Sequence, residues 1–149
     1  MIAHGWKLYV HHRFERQYRL LVEGVGVLAA KAPVGYQQQP LAKLLSAVQR
    51  LIFDAIPRNP NAEEFRQGNT LGVNYRQWFR AKFHQRFRLF FRFSSKEKVI
   101  VYAWMNDDRT LRKAGAKTDP YRVFREMLIA GDPPRTMEEL LAQARELKD

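Results

Sequence analysis

The chain contains no cysteine, and that one absence removes disulfides, thiolate zinc sites and cysteine nucleophiles together. It suits a reducing, cytoplasmic setting. Long apolar runs are missing as well. The greasiest window, 20–30, is short and carries Glu23, so no membrane span is expected. The opening residues Met1-Ile2-Ala3-His4-Gly5-Trp6-Lys7 lack a basic segment followed by an apolar run, and no signal peptide is indicated. No Walker loop, dinucleotide fingerprint, His-Glu-x-x-His pair or nucleophile elbow occurs. Neither a zinc finger nor a helix with a basic face suited to the major groove is present. Acids are also scarce: 15 Asp and Glu stand against 26 Lys and Arg, a net charge of +11 over 149 residues. Such an imbalance favours anionic partners. The apolar content of 46% is enough for one real core, and residues 1–149 are expected to form a single domain.

What the chain does have is concentrated between Arg76 and Trp104. Residues 76–98 hold eight Lys and Arg against one Glu, a net of +7. Two segments there alternate with the period of a strand. Phe79, Ala81 and Phe83 fall on one face, and Arg76, Trp78, Arg80, Lys82 and His84 on the other. Phe87, Leu89, Phe91 and Phe93 oppose Arg86, Arg88, Phe90 and Arg92 in the same way. His84 and Gln85 supply a turn, Ser94 to Lys96 a second turn, and Val99 to Trp104 a central strand apolar on both sides. This pairing predicts an open sheet face carrying Arg80, Lys82, Arg86, Arg88 and Arg92 together. A surface made only for solubility would mix signs. Trp78, Phe90, Tyr102 and Trp104 are placed near that polar side, where single-stranded RNA bases stack on aromatic and guanidinium planes.

The flanks complete an α+β architecture. Trp6 to Val10 is expected as a short edge strand. Arg13 to Ala30 carries the helical stripe Phe14, Tyr18, Leu21, Val22, Val25 and Leu28, and Gly24 and Gly26 allow close packing within it. Pro40 opens a second helix, with Leu41, Leu44, Leu45, Val48, Leu51, Ile52 and Ile56 in its stripe, ending before Pro57. The two form a helical hairpin packed on the apolar side of a small, mainly antiparallel sheet. Residues 57–75 are a long irregular loop. Asp119 is placed as an N-cap with Pro120 at the first helical position, and Gly131 ends that helix. Thr136 and Glu139 make a capping box for a last helix through Met137, Leu140, Leu141, Ala144 and Leu147. His11 and His12 are adjacent and should point apart, which makes them a poor metal pair. Asp107, Asp108 and Asp119 sit in basic surroundings, so no metal and no cofactor is expected.

Several stretches stand out together: Gly5-Trp6-Lys7-Leu8-Tyr9, Phe87-Arg88-Leu89-Phe90-Phe91-Arg92, and Val99-Ile100 through Trp104-Met105-Asn106-Asp107. Thr110-Leu111-Arg112, Thr118-Asp119-Pro120-Tyr121-Arg122-Val123-Phe124 and Gly131-Asp132-Pro133-Pro134 continue the set. With these the chain resembles the YhaV-type toxins, a branch of the RelE-like ribonuclease superfamily. The resemblance implies a RelE-like fold and a bacterial type II toxin that cleaves messenger RNA on the ribosome. It also implies a PrlF-like antitoxin, with operator DNA bound only through the joint complex. The superfamily places basic catalytic residues on its middle strands, matching Arg80, Lys82 and Arg88 here. The chain departs from it after the last strand, where Ala103-Trp104-Met105-Asn106-Asp107 replaces the usual basic residues, and Leu111 and Arg112 stand where several relatives have a tyrosine. The general acid and base are therefore unassigned by the resemblance.

The expected site follows from these readings. Arg80 and Arg88 clamp the scissile phosphate, and Arg92 or Arg112 positions its neighbour. Lys82, set among arginines that disfavour its charge, and His84, an imidazole suited to proton transfer near neutral pH, are the acid–base candidates. Asn106 and Asp107 orient the ribose or accept a proton. Trp78, Arg86, Arg92, Lys96, Lys98, Arg109, Arg112, Lys113 and Lys117 are expected to bind RNA. The alternative is a non-catalytic single-stranded RNA- or DNA-binding or regulatory protein using the same basic face.

Overall fold

A computed structural model describes residues 1–148. Its centre is a sheet of β1 (Ile2–Ala3), β2 (Trp6–His11), β3 (Phe79–Phe83), β4 (Phe87–Ser94) and β5 (Val99–Met105). Their order across the sheet is β1-β2-β5-β4-β3. A sixth strand, β6 (Ala144–Glu146), pairs antiparallel with the second half of β2. The alternating segments form an antiparallel hairpin in the register Arg80↔Phe90 and Lys82↔Arg88. Its turn works without glycine because His84 and Gln85 both adopt positive φ, 45° and 63°. β5 is central, as its two-sided apolar sequence predicts. A register shift between Phe90 and Phe91 leaves Ala103 unpaired. Such a bulge puts two successive residues on one face, and Ala103 and Trp104 do fall in the same apolar cluster.

β2 is not an edge strand. It runs parallel to β5, with Leu8 opposite Ile100, and β1 and β6 share its outer side. Helix α1 (His12–Lys31) and helix α2 (Pro40–Arg50) make the expected hairpin. Gly24 permits their approach, since a Cβ there would lie 2.9 Å from Leu41 Cδ2, whereas nothing approaches Gly26. The helical run that begins with α2 does not stop before Pro57. A π-helical turn, Leu51–Ala55, carries the chain into a short helix α3 (Ile56–Arg58) that contains Pro57. The wider turn lets a residue without N–H continue the helix and eases the ring's clash with the preceding turn.

Both faces of the sheet are covered. Phe14, Leu21, Leu45, Val48 and Ile52 of the hairpin pack on Leu8, Leu89, Phe91, Ile100 and Tyr102. On the other face, α4 (Pro120–Ile129) and α5 (Met137–Ala142) set Tyr121, Phe124, Leu128 and Leu140 against Trp78, Phe90, Val101 and Trp104. This corrects the expectation of an open basic face. Phe90 stacks on Phe124 at 4.3 Å and Trp78 meets Phe124 edge-on at 5.0 Å. Burying each such ring contributes about 1.5–3 kcal/mol, a gain that an exposed stacking surface forgoes. Asp119 caps α4 and Thr136 caps α5 as their spacings predict. α5 ends at Ala142, and the segment expected to continue it becomes β6, which completes the outer edge of β2.

Candidate active site

Three arginines converge on one phenol at the margin of α4. Arg80 Nε and Arg88 Nε both donate to the Tyr121 hydroxyl oxygen, at 2.8 and 3.1 Å. Arg112 lies over the Tyr121 ring at 4.7 Å. Backbone carbonyls hold the guanidinium groups in place. Arg80 Nη1 donates to Glu64 O, and Arg88 Nη1 to Gln85 O and Phe87 O. Asp119 fixes the third: its Oδ1 accepts from Arg112 Nη1 and from Lys113 N, both at 2.7 Å, while Oδ2 caps the helix through Tyr121 N. A phenol offers two acceptor sites and one donor. Both acceptor sites are taken by guanidinium groups, and no hydrogen bond donated by the O–H is found among the described residues. A cleft of about 310 Å³ opens beside it, lined by Tyr121, Arg112, Arg122 and Arg125. Tyr121, Arg122 and Arg125 are absent from the site expected of the sequence. The signal was the Asp-Pro N-cap, which places Tyr121 in the first turn of a helix beside a cationic sheet.

The other expected residues divide by position. Lys82 is exposed and directly opposite Arg88. Asn106 is buried and fully engaged: Oδ1 accepts from Arg88 N at 2.7 Å, and Nδ2 donates to Arg86 O and Thr110 O. It positions the strand that carries Arg88 rather than offering a free amide to ribose. Asp107 is exposed, with Oδ1 taken by Arg109 N and Thr110 Oγ1. His84, Asn106 and Asp107 line a separate hollow on the α1–α2 side of the same sheet end. Arg86 donates to Arg112 O, and Arg109, Lys113 and Lys117 are exposed on the connector before α4. Trp78 is fully buried and leaves no face for a base. Phe90 and Trp104 share that core, and Tyr102 lies on the opposite face, donating to Ile52 O at 2.6 Å. Arg92 lies over Trp78 at 5.6 Å and donates to Arg135 O, and its burial lowers its pKa. Lys96 and Lys98 occupy the turn at the far end of β4 from Arg88, with Lys98 over the Trp6 ring.

Most of the chain, residues 8–145, matches the profile of a family described as a toxin with endonuclease activity, of a toxin–antitoxin system. The chain belongs to the YhaV toxin family. It is 46% identical over 146 residues to Toxin YhaV of Escherichia coli O6:H1, covering 97% of this chain and 95% of that relative. The same figures hold for Ribonuclease toxin YhaV of Escherichia coli K12. No solved structure gives a significant match. Membership places the chain in the RelE-like superfamily. No helix among the described residues is long and apolar enough to cross a membrane.

One further grouping in this YhaV-family chain overturns an expectation. His11 and His12 do not point apart: their rings lie 4.0 Å from each other and both approach Asp132. The strand ends at His11 and the helix begins at His12, so neither regular periodicity holds at the junction. The three side chains are close enough to surround an ion, but both His11 nitrogens and Asp132 Oδ2 already have partners. Arg13 binds Asp132 Oδ2 through Nε and Nη2. His11 Nδ1 accepts from Arg13 N as the α1 cap, and its Nε2 meets Gln143 Oε1 at 3.0 Å. Burial holds the His11 pKa below 6.5, while the Arg13 hydrogen bond holds Asp132 below the usual carboxylate range. The group ties the α4–α5 loop to the start of α1.

Proposed function

We propose that the chain is an endoribonuclease that cleaves messenger RNA, including message on the ribosome, without a metal ion. The observation that carries this reading is the convergence of Arg80, Arg88 and Arg112 on Tyr121. Family membership supports it. The ribose 2′-oxygen attacks the adjacent phosphorus: the O2′–P bond forms, the P–O5′ bond breaks, and negative charge builds on the phosphorane and on O5′. Fixed guanidinium groups aimed at those oxygens stabilise the transition state more than the ground state. Arg80 and Arg88 take the scissile phosphate, and Arg112 a neighbouring one. Asp119, which bonds the cluster's Arg112, also holds two backbone N–H groups, which leaves charge stabilisation to the cations. Lys82 and His84 remain candidates for taking the 2′ proton. Tyr121, whose O–H is uncommitted, is suited to protonate O5′. The partner that neutralises the toxin is a PrlF-like antitoxin, and the complex binds operator DNA through that antitoxin.

Purified protein is expected to cut single-stranded RNA or ribosome-bound message in EDTA, leaving a 2′,3′-cyclic phosphate and a 5′-hydroxyl. Mapping the ends by chemical and enzymatic labelling checks this. Cutting that vanishes in EDTA and returns with magnesium, while the thermal melt stays the same, would refute the metal-free mechanism.

A further inference from the structure

The α1–α2 side of the sheet carries a groove that the arginine cluster does not use. It encloses about 570 Å³ and is walled by Leu20, Leu21, Leu41 and Leu44 over a floor of Phe87 and Met105. The sequence accounts for its position: with no side chain at Gly24, Leu41 lies against the α1 backbone, and the groove opens along that seam. Leu20 is 55% exposed and Leu41 37% exposed, although neither gains from contact with water. The groove opens onto the functional end of the sheet, where His84, Asn106 and Asp107 line it. A second hollow of about 500 Å³ shares His84 and continues along α2 past Lys43 and Arg50, with no acid in its lining.

We propose that this groove seats an amphipathic helical segment of the antitoxin, with its apolar face on Leu20, Leu41 and Leu44. The proposal rests on the reading that an antitoxin neutralises this chain. A leucine-walled cleft between two helices matches helix-in-groove recognition, in which anchors at i, i+3 or i+4 and i+7 supply the contact. The segment is acidic where it passes Lys43 and Arg50, and this charge sets its direction, because Asp107 and Asp108 line the other end. A seated helix covers His84 and Asp107. It thereby blocks the sheet end at which β4 delivers Arg88, and an RNA strand laid across that end is shut out.

The test uses the full chain co-expressed with its cognate antitoxin. Leu20→Glu and Leu41→Glu alter side chains that reach solvent and are expected to leave the antitoxin-free RNA cleavage rate unchanged, with a lower melt only for Leu41→Glu, because Leu41 also lies against the α1 backbone. Antitoxin affinity by calorimetry should fall by about 30-fold or more, the loss typical of a central interface anchor. Val34→Glu, at a position 94% exposed and off the groove, should bind antitoxin as the unmodified chain does. Hydrogen exchange of the unmodified chain, read with and without antitoxin, should show new protection over residues 17–21 and 40–46. This second measurement stands even if a variant fails to fold. Unchanged affinity in both leucine variants, or no protection of those segments in a formed complex, overturns the docking site. Loss of RNA cleavage with antitoxin binding intact also overturns it, by making the groove part of the RNA path. An unmodified chain that forms no complex defeats the partner reading itself, an outcome distinct from the others.

Discussion

Tyr121 carries the sharpest argument at the scale of single residues. Two guanidinium groups on one buried oxygen bring like charges together, which costs free energy unless an anion relieves it. The phenol and the carbonyls of Glu64, Gln85 and Phe87 orient these groups without neutralising them, which suits the phosphate proposed to bind there. Tyr121→Phe keeps the ring under Arg112 and the contact with Phe90, but strips Arg80 Nε and Arg88 Nε of their shared acceptor. Single-turnover cleavage at saturating RNA is expected to fall by about 100-fold or more, in the range of a lost transition-state contact. The melt should drop by the equivalent of about 1–3 kcal/mol for the unpaired donors. Arg88→Ala should lose several hundredfold in the same assay, about 3–4 kcal/mol, with most RNA binding retained. Because Arg88 also bonds Gln85 O and Phe87 O, a melt must accompany the rate. A folded Arg88→Ala protein that cleaves at the unmodified rate would move the active centre away from the cluster, toward the hollow lined by His84 and Asp107.

At the scale of elements, the local signals were legible in the sequence and the long-range ones were not. Alternation at 79–83 and 87–94, the Asp119-Pro120 start and the Thr136–Glu139 box each act within a few residues, and each element formed where its signal lies. The parallel pairing of β2 with β5 joins residues far apart in sequence, and no nearby pattern encodes it. The covering of the basic face by α4 had a trace that charge obscured. Trp78 and Phe90 share a face with Arg80, Arg88 and Arg92, and the stripe Tyr121, Phe124, Leu128 needed an apolar partner. The His11 junction is another element-scale product, since a strand end and a helix start together turn two adjacent imidazoles onto Asp132. His11 is buried, flanked by His12, Arg13 and Asp132, and its folded pKa lies below the ordinary 6.5. Below pH 6.5 the unfolded chain therefore takes up a proton that the folded chain refuses, and stability falls as pH drops toward the lowered value. Above 6.5 this contribution is constant. His11→Asn, which keeps a capping side chain, should flatten the melting temperature between pH 6.5 and the lowered His11 value. A variant that retains the full slope there would show that another group carries it.

At the scale of the whole molecule, the proposed catalytic cluster and the outlying lysines lie at opposite ends of β4. The arginine–tyrosine cluster sits where β4 begins, and the Lys96–Lys98 turn lies past its other end. A net charge of +11, +7 of it within residues 76–98, draws RNA toward the sheet, but in the proposed mechanism only groups touching phosphates at the cluster act on the bond being broken. At physiological ionic strength the field of an exposed lysine fades over about 8 Å, so Lys96 influences capture and not the chemical step. Lys96→Ala is therefore expected to weaken apparent affinity at low salt while the saturated cleavage rate stays unchanged. If Lys96 contacts a phosphate directly, the slope of log affinity against log salt should fall by about 0.7, the value for one single-strand contact. Lys113→Ala, beside the Asp119 clamp and on the connector leading to the cleft, should reduce the slope by a similar amount and also shift which phosphate is cut. Titrations at several salt concentrations, paired with single-turnover rates at saturating RNA, separate the two effects. A Lys96→Ala protein whose saturated rate drops as far as that of Arg88→Ala would show that RNA must span the full length of β4 before it is cut.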